Sequence, residues 1–453
     1  LAPRILRNAD RIGEIVSREC GKPVEEALLA EVLPNADLVG YWTKSAEELL
    51  AAEDLELDTL SYPGKTARIT REPRGVVALV TPWNYPVAIP LRTLLPALVA
   101  GNAVVWKPSE VTPETGELVA SLFDELLPKG VLEVVRGGPE IGAELVAADV
   151  DLVVFTGSVA TGKKIAVACA ERFVPCSLEL GGKDAAVVLA DADVERTARG
   201  LVWGAFTNAG QNCASIERAY VVEAVAEKLV PRVVELVNAL DLERDCGALT
   251  TARQADLVRA QLTDAIERGA ELRAGAVPEP DARRYRPVVV VVKDEACALM
   301  RDETFGPVLP IVVVKDADEA VRRANGTRYG LTASVWTKSA TRGHDVAKRL
   351  RAGVVTINNH GFTAAIPSAP WTGVGDSGFG VTSSAHALAE LTRPRLLLDD
   401  RSGAKRELWW YPYTPALRSV ARAMAAVRGG SFVARIKGLF SLLSAFPRRL
   451  FEK

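Results

Sequence analysis

Between residues 5 and 52, apolar residues return every three or four positions, the spacing of helices with one buried face. Residues 58–72 change to an alternating pattern around Tyr62-Pro63-Gly64, which predicts a hairpin. From residue 73 onward, short uninterrupted apolar runs alternate with longer amphipathic stretches. Gly75–Val80, Ala103–Trp106 and Asp151–Phe155 form a first series of such runs. A second series starts near Leu201 and includes Arg218–Val222, Val288–Val292, Leu309–Val314 and Gly353–Asn358. Short apolar strands separated by helices imply parallel sheets covered on both faces. The expected fold class is therefore α/β, with two doubly wound parallel-sheet domains.

The last fifty residues break this pattern. Leu408-Trp409-Trp410-Tyr411-Pro412-Tyr413 opens a segment in which Leu417, Val420, Met424 and Val427 share one helical face, with Arg418 and Arg422 outside it. After Gly429-Gly430, a second amphipathic run carries Phe432, Ile436, Leu439, Phe440, Leu443 and Phe446. Residues 401–453 hold eleven Lys/Arg and two Glu, a charge of +9, so the rest of the chain carries −11 of the net −2. Basic amphipathic helices with Trp and Tyr at one end suit a membrane surface; docking on the acidic body or on a partner subunit, and disorder, are the alternatives. The uncharged run Gly438–Pro447 is too short to span a bilayer, and longer uncharged runs such as Gly75–Leu91 are broken by prolines.

The near-neutral total argues against a nucleic-acid binder. The 453 residues fit two or three domains. Six cysteines without C-x-x-C spacing and three histidines argue against a metal site or a disulfide framework, and for a reducing compartment. The chain opens at Leu1 within what reads as a helix, Ile5–Glu19, so targeting at that end is unreadable. The expected location is cytoplasmic, peripheral to a membrane if the tail binds one.

The chemistry concentrates in two strings. Gly210-Gln211-Asn212-Cys213-Ala214-Ser215 holds a cysteine among small and amide residues, and Glu179-Leu180-Gly181-Gly182-Lys183 holds a carboxylate before a glycine pair. A thiol and a carboxylate on Gly-rich segments suggest covalent catalysis with a general base. These strings occur with Thr81-Pro82-Trp83-Asn84-Tyr85-Pro86, Lys107-Pro108-Ser109-Glu110, Phe155-Thr156-Gly157-Ser158, Glu303-Thr304-Phe305-Gly306-Pro307 and Ser377-Gly378-Phe379-Gly380. In this order and at this spacing the set resembles the aldehyde dehydrogenase superfamily over roughly residues 10–400, distantly like its succinate-semialdehyde enzymes.

The resemblance implies the following roles. Cys213 is the nucleophile, Glu179 the base that activates water, and the Asn84 amide with the Cys213 N–H the oxyanion donors. Trp83, Lys107, Ser109, Glu110, Gly157, Ser158, Gly181, Glu303 and Phe305 bind the dinucleotide, with Lys107 and Glu110 on the adenosine ribose and Glu303 and Phe305 at the nicotinamide ribose. Glu110 would repel a 2′-phosphate, which favours NAD, with NADP the second choice. Tyr85 and Arg92 line the substrate pocket. An arginine at the place of Arg92 holds the carboxylate in semialdehyde enzymes, but their second arginine is here Thr207. The expected domains are a Rossmann-like cofactor domain (1–57 and 73–181), a catalytic domain (182–375), a small β oligomerisation element (58–72 and 376–400) and the basic tail (401–453). A homodimer or homotetramer is expected. The expected reaction is oxidation of an aldehyde to a carboxylic acid. The alternatives are a coenzyme-A-acylating dehydrogenase, which generally lacks the glutamate, and a catalytically silent scaffold, which would lack the cysteine or the glutamate.

Overall fold

The computed structural model describes residues 1–59, 61–403 and 405–451; Leu60 of the expected hairpin, Ala404, and Glu452-Lys453 at the end of the tail lie outside the described residues. The strands, in chain order, are β1 (Glu53–Leu55), β2 (Lys65–Pro73), β3 (Val76–Val80), β4 (Ala103–Lys107), β5 (Leu132–Val134), β6 (Leu152–Thr156), β7 (Cys176–Glu179), β8 (Asp184–Val188), β9 (Ile216–Val222), β10 (Glu271–Ala274), β11 (Val288–Val291), β12 (Val308–Val314), β13 (Thr332–Trp336), β14 (Val354–Ile357), β15 (Gly378–Phe379) and β16 (Thr392–Asp400).

Two compact units form, Leu1–Ala51 with Thr70–Arg395, and Ala52–Ile69 with Leu396–Lys453. The larger contains two sheets, in the orders β15-β7-β6-β3-β4-β5 and β10-β11-β12-β9-β8-β13-β14. Their inner strands pair in parallel. Both faces of each sheet are covered. Trp42, Leu91 and Trp106 fill one side of the first sheet and Phe155, Ile165 and Leu178 the other. Tyr220 and Val290 lie on one side of the second, Leu229 and Trp336 on the other. Strands buried on both faces explain why apolar runs, not alternation, mark them in the sequence.

Two boundaries differ from the sequence reading. The hairpin pairs β1 with β2, Glu53 opposite Ile69, so its first arm lies before residue 58. Residues 56–59 and 61–64 lie between the two strands, and the Asp58 carbonyl accepts from the N–H groups of both Ser61 (3.0 Å) and Tyr62 (2.8 Å), as in a turn. Residues 376–391, expected in the oligomerisation element, join the first sheet. There β15 pairs antiparallel with β7, and the helix Ser384–Leu391 buries Ala387, Leu388 and Leu391 in the same core as Leu91.

In the smaller unit β2 lies between β1 and β16, and Lys65 bridges Asp400 (3.0 Å) and Glu407 (2.6 Å). The tail forms two helices, Pro415–Gly429 and Phe432–Phe451.

Candidate active site

The strand order of the first sheet sets four segments side by side. The carboxyl ends of β7, β6, β3 and β4 lead into Glu179–Gly182, Gly157-Ser158, Thr81–Tyr85 and Lys107–Glu110. The order turns outward in both directions from β3, and such a switch point opens a crevice beyond the strand ends. Ser158 caps the helix Val159–Glu171, its Oγ accepting the Thr161 N–H (3.3 Å), and the Gly157 N–H donates to the Glu179 carbonyl (3.0 Å). This helix start offers N–H groups and the positive end of a dipole to an anion. Lys107 is buried and donates to Glu110 (2.9 Å) and to the Pro108 carbonyl (3.1 Å). Burial alone would raise the Glu110 carboxyl, but the Lys107 ammonium outweighs it and holds it below its ordinary value. Ser109 shapes this turn by accepting the Val111 N–H (3.2 Å).

Glu303 reaches the glycine pair from the second sheet and accepts the Gly182 N–H (3.1 Å). A side chain at Gly181 would put its Cβ 2.3 Å from the Glu303 carboxylate, so it would push that carboxylate away from the glycine pair. Burial pushes the Glu303 carboxyl upward, and Glu217 nearby adds to the push. Phe305, at φ +51°, meets Trp83 edge to face with ring centres 5.7 Å apart. A helix N-terminus, a lysine–glutamate pair, a second carboxylate and an aromatic wall are a donor set suited to the two ribose groups and the pyrophosphate of a dinucleotide.

The thiol arises from a different element. The helix Val194–Phe206 ends in the turn Thr207–Gly210, where Asn208 and Ala209 take φ values of 54° and 53°. Asn208 donates its amide to the Asn84 carbonyl (2.9 Å), and the Asn84 amide donates to the Gln211 carbonyl (3.1 Å). The Asn84 and Cys213 loops are thereby tied together, with one of the two Asn84 N–H bonds committed. The Cys213 thiol faces the Asn212 amide oxygen at 3.9 Å. Cys213, Glu179, Tyr85, Arg92 and Thr156 all line one cavity of 810 Å³. The Glu179 carboxylate accepts the Thr382 hydroxyl. Burial raises the Glu179 carboxyl above its ordinary value, against the opposing pull of Arg92 and Thr382. Burial also raises the Cys213 thiol strongly, with Glu179 and Asp184 adding to the shift and Arg92 opposing it. The resting sulfur is therefore a thiol at neutral pH.

Arg92 donates to the Ala364 carbonyl (3.3 Å) and stands 5.6 Å over the Trp371 ring. Thr207 does not substitute for a second cation: its hydroxyl and the Asn208 N–H both donate to Glu26, a carboxylate in the cavity wall.

Sequence reasoning missed the groups that hold these loops. Lys22, fully buried, donates to Glu31 (2.9 Å) and to the Asn84 carbonyl (2.8 Å), while Glu31 accepts the N–H groups of Val87 and Ala88. Lys183 pairs with Glu217 (2.5 Å), and Glu217 accepts the N–H groups of Thr304 and Phe305, both at 2.8 Å. His360 contacts the Ala214 carbonyl (2.6 Å) beside the thiol. A charged residue inside an otherwise apolar helical run, as at Glu31, is the sequence signal for the first pair; the others carry none.

Fold and crevice together define a dinucleotide-linked oxidoreductase. Residues 1–397 match the description "Aldehyde dehydrogenase family". The chain is 39% identical over 419 residues to 4,4'-diapolycopene aldehyde oxidase of Methylomonas sp, covering 91% of this chain and 79% of that one. It is 35% identical over 436 residues to a putative succinate-semialdehyde dehydrogenase [NADP(+)] of Mycolicibacterium smegmatis, covering 92% and 84%. Among solved structures, the Mycobacterium tuberculosis aldehyde dehydrogenase complexed with NAD+ superposes with a TM-score of 0.82 at 30% identity, covering 87% of this chain and 83% of that one. The NADP-dependent glyceraldehyde-3-phosphate dehydrogenase of Bacillus halodurans C-125 complexed with NADP gives 0.83 at 36% identity, covering 88% and 84%. The chain belongs to the aldehyde dehydrogenase family. Oxidation of an aldehyde with NAD or NADP is the reaction of this enzyme.

Proposed function

We propose that the enzyme converts an apolar aldehyde to its carboxylic acid through a thioester on Cys213. The carrying observation is that the Cys213 thiol and the Glu179 carboxylate line the same cavity. The Cys213 thiol gives its proton to solvent, the resulting thiolate sulfur bonds to the aldehyde carbon, and the carbonyl oxygen takes the negative charge. The second Asn84 N–H and the Cys213 backbone N–H are the donors for that oxyanion. When the carbonyl re-forms, the former aldehyde hydrogen leaves with its electron pair. Bound NAD or NADP supplies the hydride acceptor, held by Trp83, Lys107, Ser109, Glu110, Gly157, Ser158, Gly181, Glu303 and Phe305. Glu179 then removes a proton from water, the water oxygen bonds to the thioester carbon, and the C–S bond breaks, the leaving sulfur taking that proton from Glu179 to restore the thiol and the carboxylate. Aldehyde, water and oxidised cofactor give acid, reduced cofactor and a proton. Glu179 beside the thiol favours water over coenzyme A as the acyl acceptor.

The relatives' names point to two substrate types, 4,4'-diapolycopene aldehyde and succinate semialdehyde. The cavity supports the apolar type. Its walls include Leu38, Ile89, Phe206, Leu236 and Trp371. Its volume of 810 Å³ lies in the upper part of the roughly 300–1,000 Å³ that ligand pockets occupy, far beyond a four-carbon acid. Glu26 stands where a second clamp cation would be needed. Glu110, which the resemblance sets at the 2′-hydroxyl, favours NAD over NADP.

Assembly as a homodimer or homotetramer is supported by β16, an edge strand that exposes Leu396, Leu397 and Leu398. The test is the formation of reduced cofactor with hexanal, dodecanal and succinic semialdehyde, each with NAD and NADP. Expected are a kcat/KM that rises up to about fourfold per methylene until the cavity fills, and higher values with NAD. A preference for succinic semialdehyde over hexanal overturns the substrate class. Undiminished turnover by Cys213→Ser overturns the chemistry.

A further inference from the structure

The two tail helices pack together, burying Val420 and Ala423 of the first. In the helix Phe432–Phe451, the residue that meets the helix Pro415–Gly429 most closely is a glycine. Gly438 is buried, with a hypothetical Cβ only 3.0 Å from the Ala423 carbonyl and from the Ala426 Cβ, and Ala445 is buried too. The large apolar side chains point the other way. Phe432, Val433, Ile436, Leu439, Phe440 and Leu443 are 43–78% exposed. At 3.6 residues per turn these six fall within an arc of roughly 120°, a continuous stripe facing out of the hairpin. Soluble helices put such a stripe inward; a contiguous exposed one marks an interaction surface.

The surroundings of the stripe select its occupant. Arg435, Lys437 and Arg448 are exposed around it, and Arg418, Arg422 and Arg428 are exposed on the companion helix. Trp409, Trp410, Tyr411 and Tyr413, all exposed, precede the first helix. Between residues 408 and 451 the sequence has no acidic residue. Large apolar residues flanked by cations, with Trp and Tyr alongside, match the depth profile of an anionic bilayer surface. Among the described residues no helix is long and apolar enough to cross a membrane, so the contact is with one leaflet.

We infer that the helix Phe432–Phe451 inserts its outward stripe into the headgroup region of an anionic lipid bilayer and holds the enzyme at that surface. This binding is separable from the oxidation chemistry, because none of its residues belongs to the catalytic cavity or the dinucleotide crevice.

The test uses the full chain and sedimentation with phosphatidylcholine vesicles, with and without phosphatidylserine. Expected is binding that grows with phosphatidylserine and weakens in high salt, by about fivefold for each basic residue engaged. A triple variant, Leu439→Glu, Phe440→Glu and Leu443→Glu, should lower the partition coefficient by about tenfold or more while hexanal oxidation stays at the parent rate. Equal partitioning of parent and variant overturns the inference. So does a parent that ignores phosphatidylserine vesicles while oxidising hexanal. A variant that changes the sedimentation coefficient in lipid-free buffer, with vesicle binding unchanged, also overturns it and assigns the stripe to a second copy of the chain.

Discussion

Replacing Glu179 by Gln isolates the second half of the reaction. Gln keeps the volume and can still bond to the Thr382 hydroxyl, which the glutamate now accepts, but it cannot take a proton from water. A positioned general base contributes roughly 10²–10⁴-fold, equivalent to about 3–5 kcal/mol of barrier. Burial raises the Glu179 carboxyl from its ordinary value toward neutrality, and a base is most effective when its pKa approaches the working pH. The sign for pH follows. Only the ionised carboxylate is a base, so hydrolysis in the parent should fall as pH drops through the raised pKa, at a higher pH than a solvent-exposed glutamate would show. In Glu179→Gln that limb should vanish. Rapid-mixing absorbance of reduced cofactor separates the steps. Expected is a burst of about one equivalent per site at the parent rate, then a steady state slowed 10²–10⁴-fold, with the acylated protein visible by intact mass. A burst slowed as much as the steady state, with no acyl-enzyme mass, would refute the role in hydrolysis and move Glu179 to activation of the thiol.

Arg92→Gln should weaken the thiolate, because Arg92 is the cation that opposes the upward shift of Cys213. The pH profile of Cys213 alkylation should move to higher pH, and kcat for hexanal should fall; an unmoved alkylation profile with a higher KM only for acidic aldehydes would restore Arg92 as a carboxylate clamp. Lys22→Met leaves Glu31 buried and without its counter-charge, which costs about 3–5 kcal/mol; for a chain of this length the melting temperature should drop by about 3–5 °C, and an unchanged melt would show that the pair carries no such load.

The sequence was most legible where chemistry demands fixed residue types. Asn84, Lys107, Glu179, Cys213 and Glu303 sit in strings whose order alone suggested their roles, and the apolar runs β3, β4 and β6 located the sheet that gathers several of them. Pattern was less informative at β8, a run of small residues, and at the hairpin, where alternation around Tyr62-Pro63-Gly64 belongs to a turn and the first arm lies earlier. The membership of 376–391 was hidden because a two-residue strand such as β15 has no periodicity. The apolar stripe of the last helix was visible as spacing, but spacing does not say which face a neighbour covers. That depends on Gly438, whose small size lets the companion helix approach from the other side. The cavity walls were out of reach for a similar reason: Leu38, Phe206 and Leu236 come from three helices far apart in the chain.

The two buried ion pairs account for what these scattered parts need in common. Taking charges out of water is costly, and a buried pair often adds nothing to stability over apolar residues of the same volume. Here each pair spends its remaining hydrogen-bonding capacity on main-chain groups at the site. Lys22 holds the Asn84 carbonyl, and Glu31 holds the N–H groups of Val87 and Ala88, so the segment carrying Asn84, the proposed oxyanion donor, is fixed from behind. Glu217, paired to Lys183, holds the N–H groups of Thr304 and Phe305, and thereby the left-handed backbone at Phe305 between Glu303 and the ring against Trp83. An apolar replacement could fill the volume but could not accept those N–H groups. Stability alone does not explain such charges, whereas a site that depends on two loops held at fixed distances does, since a misplacement of about 1 Å can cost 10²-fold in rate.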